Sequence, residues 1–170
     1  MSAGIVALVG NPRPGSRTHR VADQAARAVA RRLGAGPHET IDLTALAPHL
    51  LSPLPSAAVE AALELAASDV LVVASPTYKG TYTGLLKAFL DRLPGRALSA
   101  TAALPLLVMG DPKHSLAVEV HLRPLLVELG ARVPTPGLAL LESQLDGAEE
   151  ILAGWADRLA PQLEGTPAPT

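Results

Sequence analysis

The apolar run Asp69–Ala74, DVLVVA, limits the folds open to this chain more than any other segment. It shows no alternation of polar and apolar residues, so both faces of its strand must be buried. Strands of that kind belong to parallel sheets covered by helices on each side. The rest of the chain repeats the pattern. Gly4–Val9, His38–Leu43 and Ala102–Met109 read as strands, and Arg132–Val133 with Gly137–Leu141 suggest a broken fifth. Helical stretches lie between them. Ser16–Leu33 carries Val21, Ala25, Ala28, Val29 and Leu33 at helical spacing and is stopped by Gly34 and Gly36. Ser56–Ala67, Thr83–Leu93, His114–Leu129 and Asp146–Leu163 predict four more helices, the stretch at 83–93 ended by Pro94 and Gly95. Ala47–Pro55, rich in Pro and Leu, reads as a surface loop. Strands alternating with helices imply a doubly wound, five-stranded parallel sheet in a three-layer α/β/α arrangement. The expectation is one α/β domain over residues 1–164 and a disordered tail, GTPAPT, over 165–170.

Composition removes several classes of function. Hydrophobic residues make up 48% of the chain, enough for a sheet and its helices, and the formal charge of −2 gives no electrostatic reason to expect nucleic acid or an anionic membrane surface. The absence of cysteine excludes disulfides, thiolate metal sites and a cysteine nucleophile. The five histidines are scattered, without HxxxH or HxH spacing, so no metal site is expected. No apolar run approaches the ~20 residues that span a bilayer. The first residues lack the basic and long apolar regions of a secretory leader, and a cytoplasmic protein is expected.

In doubly wound sheets ligands bind outside the carboxyl ends of the strands, at the point where strand order reverses. Three loops fall there: Gly10–Thr18, Ser75–Tyr82 and Gly110–His114. The first, GNPRPGSRT, leads from a strand into a helix N-terminus, where free N–H groups and the helix dipole favour an anion. Ser16 and Thr18 add hydroxyls, and Arg13 and Arg17 add guanidinium groups with phosphate geometry. The loop matches neither GxxxxGK[ST] nor GxGxxG. Two readings stay open here: a phosphate site, or a Ser16 helix cap beside two solvated arginines. The second loop, SPTYKGTYTGLLK, concentrates the aromatic residues. The chain has one Trp, two Tyr and one Phe, and all but Trp155 lie between Tyr78 and Phe89. A flat, partly polar ligand is one reason for such a cluster. Packing within the loop is the alternative for Tyr78, and a subunit interface is the alternative for Tyr82.

Taken together, GNPRPGSRT, ASPTYKGTYTGLLKAFLDRLPGRAL and LPLLVMGDPKHSLAVEVHLRPLL resemble the NADPH-dependent FMN reductase family. Within that family they are most similar to the flavin reductases that serve two-component alkanesulfonate monooxygenases. The resemblance covers about residues 4–142. It is specific in the middle, where SPTYKGTYTGLLKAFLD follows (S/T)PxYxxxYSGxLKxxLD, and in the spacing from His114 to Leu-Arg-Pro. It implies a flavodoxin-like fold with strand order 2-1-3-4-5.

The resemblance also assigns roles. Asn11, Arg13, Ser16, Arg17 and Thr18 would hold the FMN phosphate, Asn11 standing where the family usually has Ser. Pro76, Thr77, Tyr78 and Lys79 would lie along the isoalloxazine, with Gly80 allowing close backbone approach. Gly110 and Asp111 would form the third wall, where relatives often read TGG; here Met109 adds bulk and Asp111 adds negative charge. The implied reaction passes hydride from reduced nicotinamide, NADPH or NADH, to flavin N5. The cofactors carry that chemistry, so no catalytic residue is assigned. Reduced FMN could pass to a partner monooxygenase. The alternatives are a reductase of quinones, azo dyes or metal oxyanions that keeps its FMN, a flavodoxin-like electron carrier without a nicotinamide site, and a degenerate domain that binds no flavin. A homodimer or homotetramer is implied. Lys87 and Asp91, spaced i, i+4, read as a surface ion pair or as a pairing between subunits; Glu119 and Arg123 read as a second surface pair. Pro124 is expected to disturb its helix. Some relatives carry a π-bulge there, with Tyr or His at the position of Val120; His121 stands one place later, and the sequence leaves the bulge open.

Overall fold

The apolar runs become strands, and the reason is visible in what covers them. The computed structural model describes residues 3–134 and 136–164. The strands are β1 (Ile5–Val9), β2 (Glu39–Asp42), β3 (Val70–Pro76), β4 (Ala102–Met109) and β5 (Leu138–Leu141). They pair in parallel in the order β2-β1-β3-β4-β5. The helices are α1 (Arg17–Leu33), α2 (Ala47–Leu50), α3 (Ala57–Ala66), α4 (Gly84–Leu90), α5 (Arg123–Glu128) and α6 (Ala148–Glu164). Side chains alternate across each central strand. Ile5, Ala7, Val9, Val70, Val72, Ala74, Leu104 and Leu106 pack on one face with Val21, Ala25 and Val29 of α1 and Leu152, Trp155 and Leu159 of α6. Val6, Leu8, Leu71, Val73, Ala103 and Leu107 pack on the other face with Val59 of α3, Leu86 and Phe89 of α4, and Leu126 of α5. Burial on both faces is what a strand without polar alternation requires.

Helix ends follow local chemistry. Ser16 Oγ accepts the His19 N–H and caps α1, which closes at Gly34 in the left-handed region, φ 61°. Ser56 caps α3 and Thr83 caps α4 in the same way.

Several boundaries differ from the sequence reading. The stretch at 47–55 contains the single turn of α2, whose Leu50 is buried in the core. β3 runs on through Ser75 and Pro76, opposite Leu107 and Val108. The last helix begins at Ala148, after a 3-10 segment at Glu142–Gly147. The stretch expected as one helix at 114–129 is three pieces: a 3-10 turn at Pro112–His114, a π-helical turn at Val118–Leu122, and α5. Pro124 explains the break. It has no N–H to give Val120 and its ring crowds that carbonyl, so the turn opens and α5 restarts with Pro124 in its first turn.

The broken fifth strand has a physical cause as well. Arg132 makes a single bridge to Ala102, and pairing resumes only at Leu138 opposite Leu106. Ala103 donates its N–H to Arg132 O, so alternate residues of β4 face β5, and the next of these is Pro105, which has no N–H. Glu119 and Arg123 tie down the chain between. Glu119 Oε2 accepts from Arg123 Nε at 2.6 Å, Glu119 Oε1 accepts the Gly137 N–H at 2.6 Å, and Arg123 Nη1 donates to Val133 O at 2.7 Å. The pair is thus an anchor for a loop rather than a solvated surface contact. Lys87 and Asp91 do pair at the surface, within the chain, at 2.6 Å. The residues expected as a disordered tail, 165–170, lie outside those described. Among the described residues no helix is long and apolar enough to cross a membrane, and no cluster of metal-ligating side chains occurs.

Candidate functional site

The loops after β1 and β3 meet because their strands are neighbours in the sheet. Gly10 donates its N–H to Ala74 O at 2.8 Å, and its own carbonyl accepts from Thr83 Oγ1 at 2.5 Å. A Cβ on Gly10 would stand 2.7 Å from Leu86 Cβ, so only glycine allows this approach. Asn11 is nearly buried; its Nδ2 donates to Thr18 Oγ1 and its Oδ1 accepts the Arg13 N–H, each at 3.0 Å. Asn11 and Thr18 therefore brace the loop from beneath. Ser16 Oγ takes the His19 N–H, which leaves the N–H groups of Arg17 and Thr18, in the first helical turn, without intrahelical acceptors. Arg13 is exposed, and its guanidinium has no partner among the described residues. Arg17 is turned toward the end of β5, where it pairs with Glu142 at 2.8 Å. Both partners are about half exposed, so the pair is weak.

The second loop folds on itself. Tyr78 donates its N–H to Thr81 O at 2.8 Å, and Lys79 and Gly80 between them have φ of 55° and 90°. Positive φ at both central positions is the signature of a type I′ turn. Thr77 donates its N–H to Val108 O at 2.8 Å, which fixes the turn to β4. Beneath it Ser75 Oγ accepts the Thr83 N–H at 3.0 Å and donates to Pro76 O at 2.8 Å. The clustered aromatics part company here. Phe89 is fully buried, Tyr82 packs against the core, and Tyr78 is 43% exposed at the tip of the loop. Thr81 Oγ1 is buried with no hydrogen-bond partner, a feature for which the sequence holds no signal.

The third loop begins where β4 ends. Met109 is buried as the last residue of that strand, so its bulk is turned into the protein. Gly110 is exposed, with open space where a Cβ would stand. Asp111 caps the 3-10 turn; its Oδ1 accepts the Lys113 N–H at 3.0 Å, and its Oδ2 pairs with Lys113 Nζ at 2.9 Å. The backbone hydrogen bond from Lys113, then the one from its ammonium, hold the Asp111 carboxyl below the usual aspartate range. The negative charge at Asp111 is therefore matched locally. His114 lies beside the second loop, its imidazole 3.8 Å from where a Gly80 Cβ would stand. The chain thus gathers Arg13, the first turn of α1, the turn at 78–81 and the 110–114 loop at the carboxyl end of the sheet, and ties Arg17 to Glu142 after β5 at that same end.

Fold and loops define a flavodoxin-like α/β protein with its candidate site at the carboxyl ends of β1, β3 and β4. The model of the NADPH-dependent FMN reductase family matches residues 3–146, and the chain belongs to that family. An "FMN reductase (NADPH)" of Pseudomonas putida strain KT2440 is 36% identical over 105 residues, 59% of this chain and 53% of the relative. The chain thus spans about half the length of that relative. An "NADH-dependent FMN reductase SfnE" of Pseudomonas putida is 33% identical over 160 residues, 91% of this chain and 86% of the relative. Among solved structures, an apo NADH:FMN oxidoreductase (EMOB) superposes with a TM-score of 0.88 at 36% identity, covering 98% of this chain and 92% of that one.

Proposed function

We propose that this protein is an NAD(P)H-dependent FMN reductase, with FMN held across the loops after β1, β3 and β4. The observation that carries the reading is the joining of two different loops by one buried bond, Thr83 Oγ1 to Gly10 O. One loop suits an anion and the other suits a flat ring, and a flavin mononucleotide has both ends. The residues present fit the group in two respects. The N–H groups of Arg17 and Thr18 lack intrahelical acceptors beside the unpaired Arg13. Tyr78 offers an exposed aromatic face.

In this reading Arg13 and the first-turn amides bind the phosphate, with Ser16 at the cap and Asn11 and Thr18 shaping the loop from below. Arg17 contributes by leaving Glu142. Pro76, Thr77, Tyr78, Lys79 and Gly80 border the ring on one side, and Gly110 and Asp111 border it on another. FMN held by these residues would supply the hydride-accepting chemistry, with reduced nicotinamide as donor. The chain's own groups orient the rings and exclude water, and none needs to move a proton. Relatives named for NADPH and for NADH support either donor. The proposal extends to a cytoplasmic setting, to release of reduced FMN to a two-component monooxygenase, and to a homodimer or homotetramer. Exposed Leu116, Val120 and Val127 along the π-turn and α5 support self-association.

The test is an absorbance assay at the nicotinamide band with purified protein, FMN and either NADPH or NADH. Catalytic loss of the reduced nicotinamide is expected with at least one donor. No consumption with either donor and any flavin would overturn the reading.

A further inference from the structure

A cleft of about 630 Å³ lies between the C-terminal half of α1 and the start of β2, and it holds charged side chains that the proposed reaction does not use. It sits toward the amino ends of the strands, whereas the three loops follow the carboxyl ends, and β2 is the outermost strand. Its volume falls in the range of about 300–1,000 Å³ typical of small-molecule sites.

One wall is organised around Asp23. Its Oδ1 accepts from His38 Nε2 at 2.5 Å and its Oδ2 accepts from Arg27 at 2.7 Å. A carboxylate only accepts, so the hydrogen sits on Nε2 and the imidazole is held in one orientation. The His38 side chain is only 9% exposed. Arg27 offsets the charge of Asp23. Arg31, one turn further along α1, also lines the cleft and has no ion-pair partner among the described residues. The wall therefore carries a surplus positive charge beside the apolar surface of Ala35 and Pro37. An arginine face that served only solubility would need neither a cleft nor a nearly buried histidine held by an aspartate behind it.

We infer that this cleft is a second binding site, for a small, flat organic anion: an apolar ring system bearing one carboxylate, sulfonate or phosphate group. Arg31, with Arg27, takes the anionic group, and Ala35 and Pro37 take the ring. The inference is independent of the flavin reading, because no residue is shared with the three loops.

The experiment is a nuclear magnetic resonance titration of 15N-labelled protein with 8-anilinonaphthalene-1-sulfonate, run with and without FMN. Saturable shifts centred on the amides of 31–40 are expected in both runs, fitting one dissociation constant. Arg31→Glu should raise that constant at least tenfold, and Arg20→Glu, on the same helix outside the cleft, should leave it unchanged. Both substitutions are at exposed positions, so the fold is retained. Shifts that do not saturate, that centre on the loops at 10–18 or 75–82, or that persist unchanged in Arg31→Glu overturn the inference.

Discussion

Lys79 holds a backbone conformation that suits glycine, with φ of 55° in the middle of a two-residue turn. Left-handed geometry costs a non-glycine residue about 1–2 kcal/mol, part of which glycine returns through its greater freedom in the unfolded chain. Lys79→Gly should therefore stabilise the protein by about 0.5–1 kcal/mol in urea denaturation, and a loss of stability would show that the lysine side chain makes up for its strain. Two residues of the candidate site carry the ligand predictions. Tyr78→Ala should weaken FMN binding by ~1–3 kcal/mol, the scale of stacking on an aromatic, as read by flavin fluorescence titration. Arg13→Ala should weaken FMN more than riboflavin, because only FMN carries the phosphate; equal losses for both would remove Arg13 from that role. At Gly10 the constraint is steric. Gly10→Ala forces a methyl group against Leu86 and should cost about 1–3 kcal/mol, measured in the same denaturation series.

At the scale of elements, the joint between the π-turn and β5 is the clearest electrostatic device. Burial by itself would raise the Glu119 carboxyl's pKa, but the hydrogen bonds from Arg123 and from the Gly137 N–H, with the Arg123 charge, outweigh it and leave the group below the ordinary glutamate range. A carboxyl depressed in the folded state binds its proton more readily when unfolded. Its contribution to stability is therefore complete above the unfolded value of about 4.3, and is lost as pH falls through the lower folded value. Glu119→Gln should flatten that part of the stability–pH curve and lower stability at neutral pH; an unchanged acid limb would show that other carboxyls set it. The sequence made the i, i+4 spacing of Glu119 and Arg123 legible, but as a surface pair. Its further partners, Gly137 N–H and Val133 O, come from a segment ten or more residues away along the chain and are set by where β5 rejoins the sheet. The π-turn was left open by the sequence for a related reason. Pro124 marks a disturbed helix, but whether the chain kinks, stops or opens depends on what the next turn packs against. In the candidate site, Ser16 as a cap follows from local chemistry and was readable, whereas Gly80, expected to allow close backbone approach, stands at φ 90° in the turn. The pairing of Arg17 with Glu142 and the orphaned hydroxyl of Thr81 are tertiary facts with no local signature.

For the whole molecule, the sheet order and the layers were legible because two-sided burial leaves an unbroken apolar run in the sequence. The two cores lie on opposite faces of the same central strands, so neither can loosen alone. Trp155, the single tryptophan, is buried in the α1–α6 layer and donates its Nε1–H to Pro136 O. Its fluorescence and the far-ultraviolet circular dichroism should therefore report one urea transition with one midpoint. Separate midpoints would mean that the α6 layer comes away first. The shape of the sheet carries a further consequence. β3 at its centre and β4 beside it have seven and eight residues, whereas β2 and β5 at its rims have four each. Backbone left open at either margin is too short to template the strand of a neighbouring chain. Crowded solutions of this protein should therefore associate through side chains, as discrete particles, and should not seed fibrils.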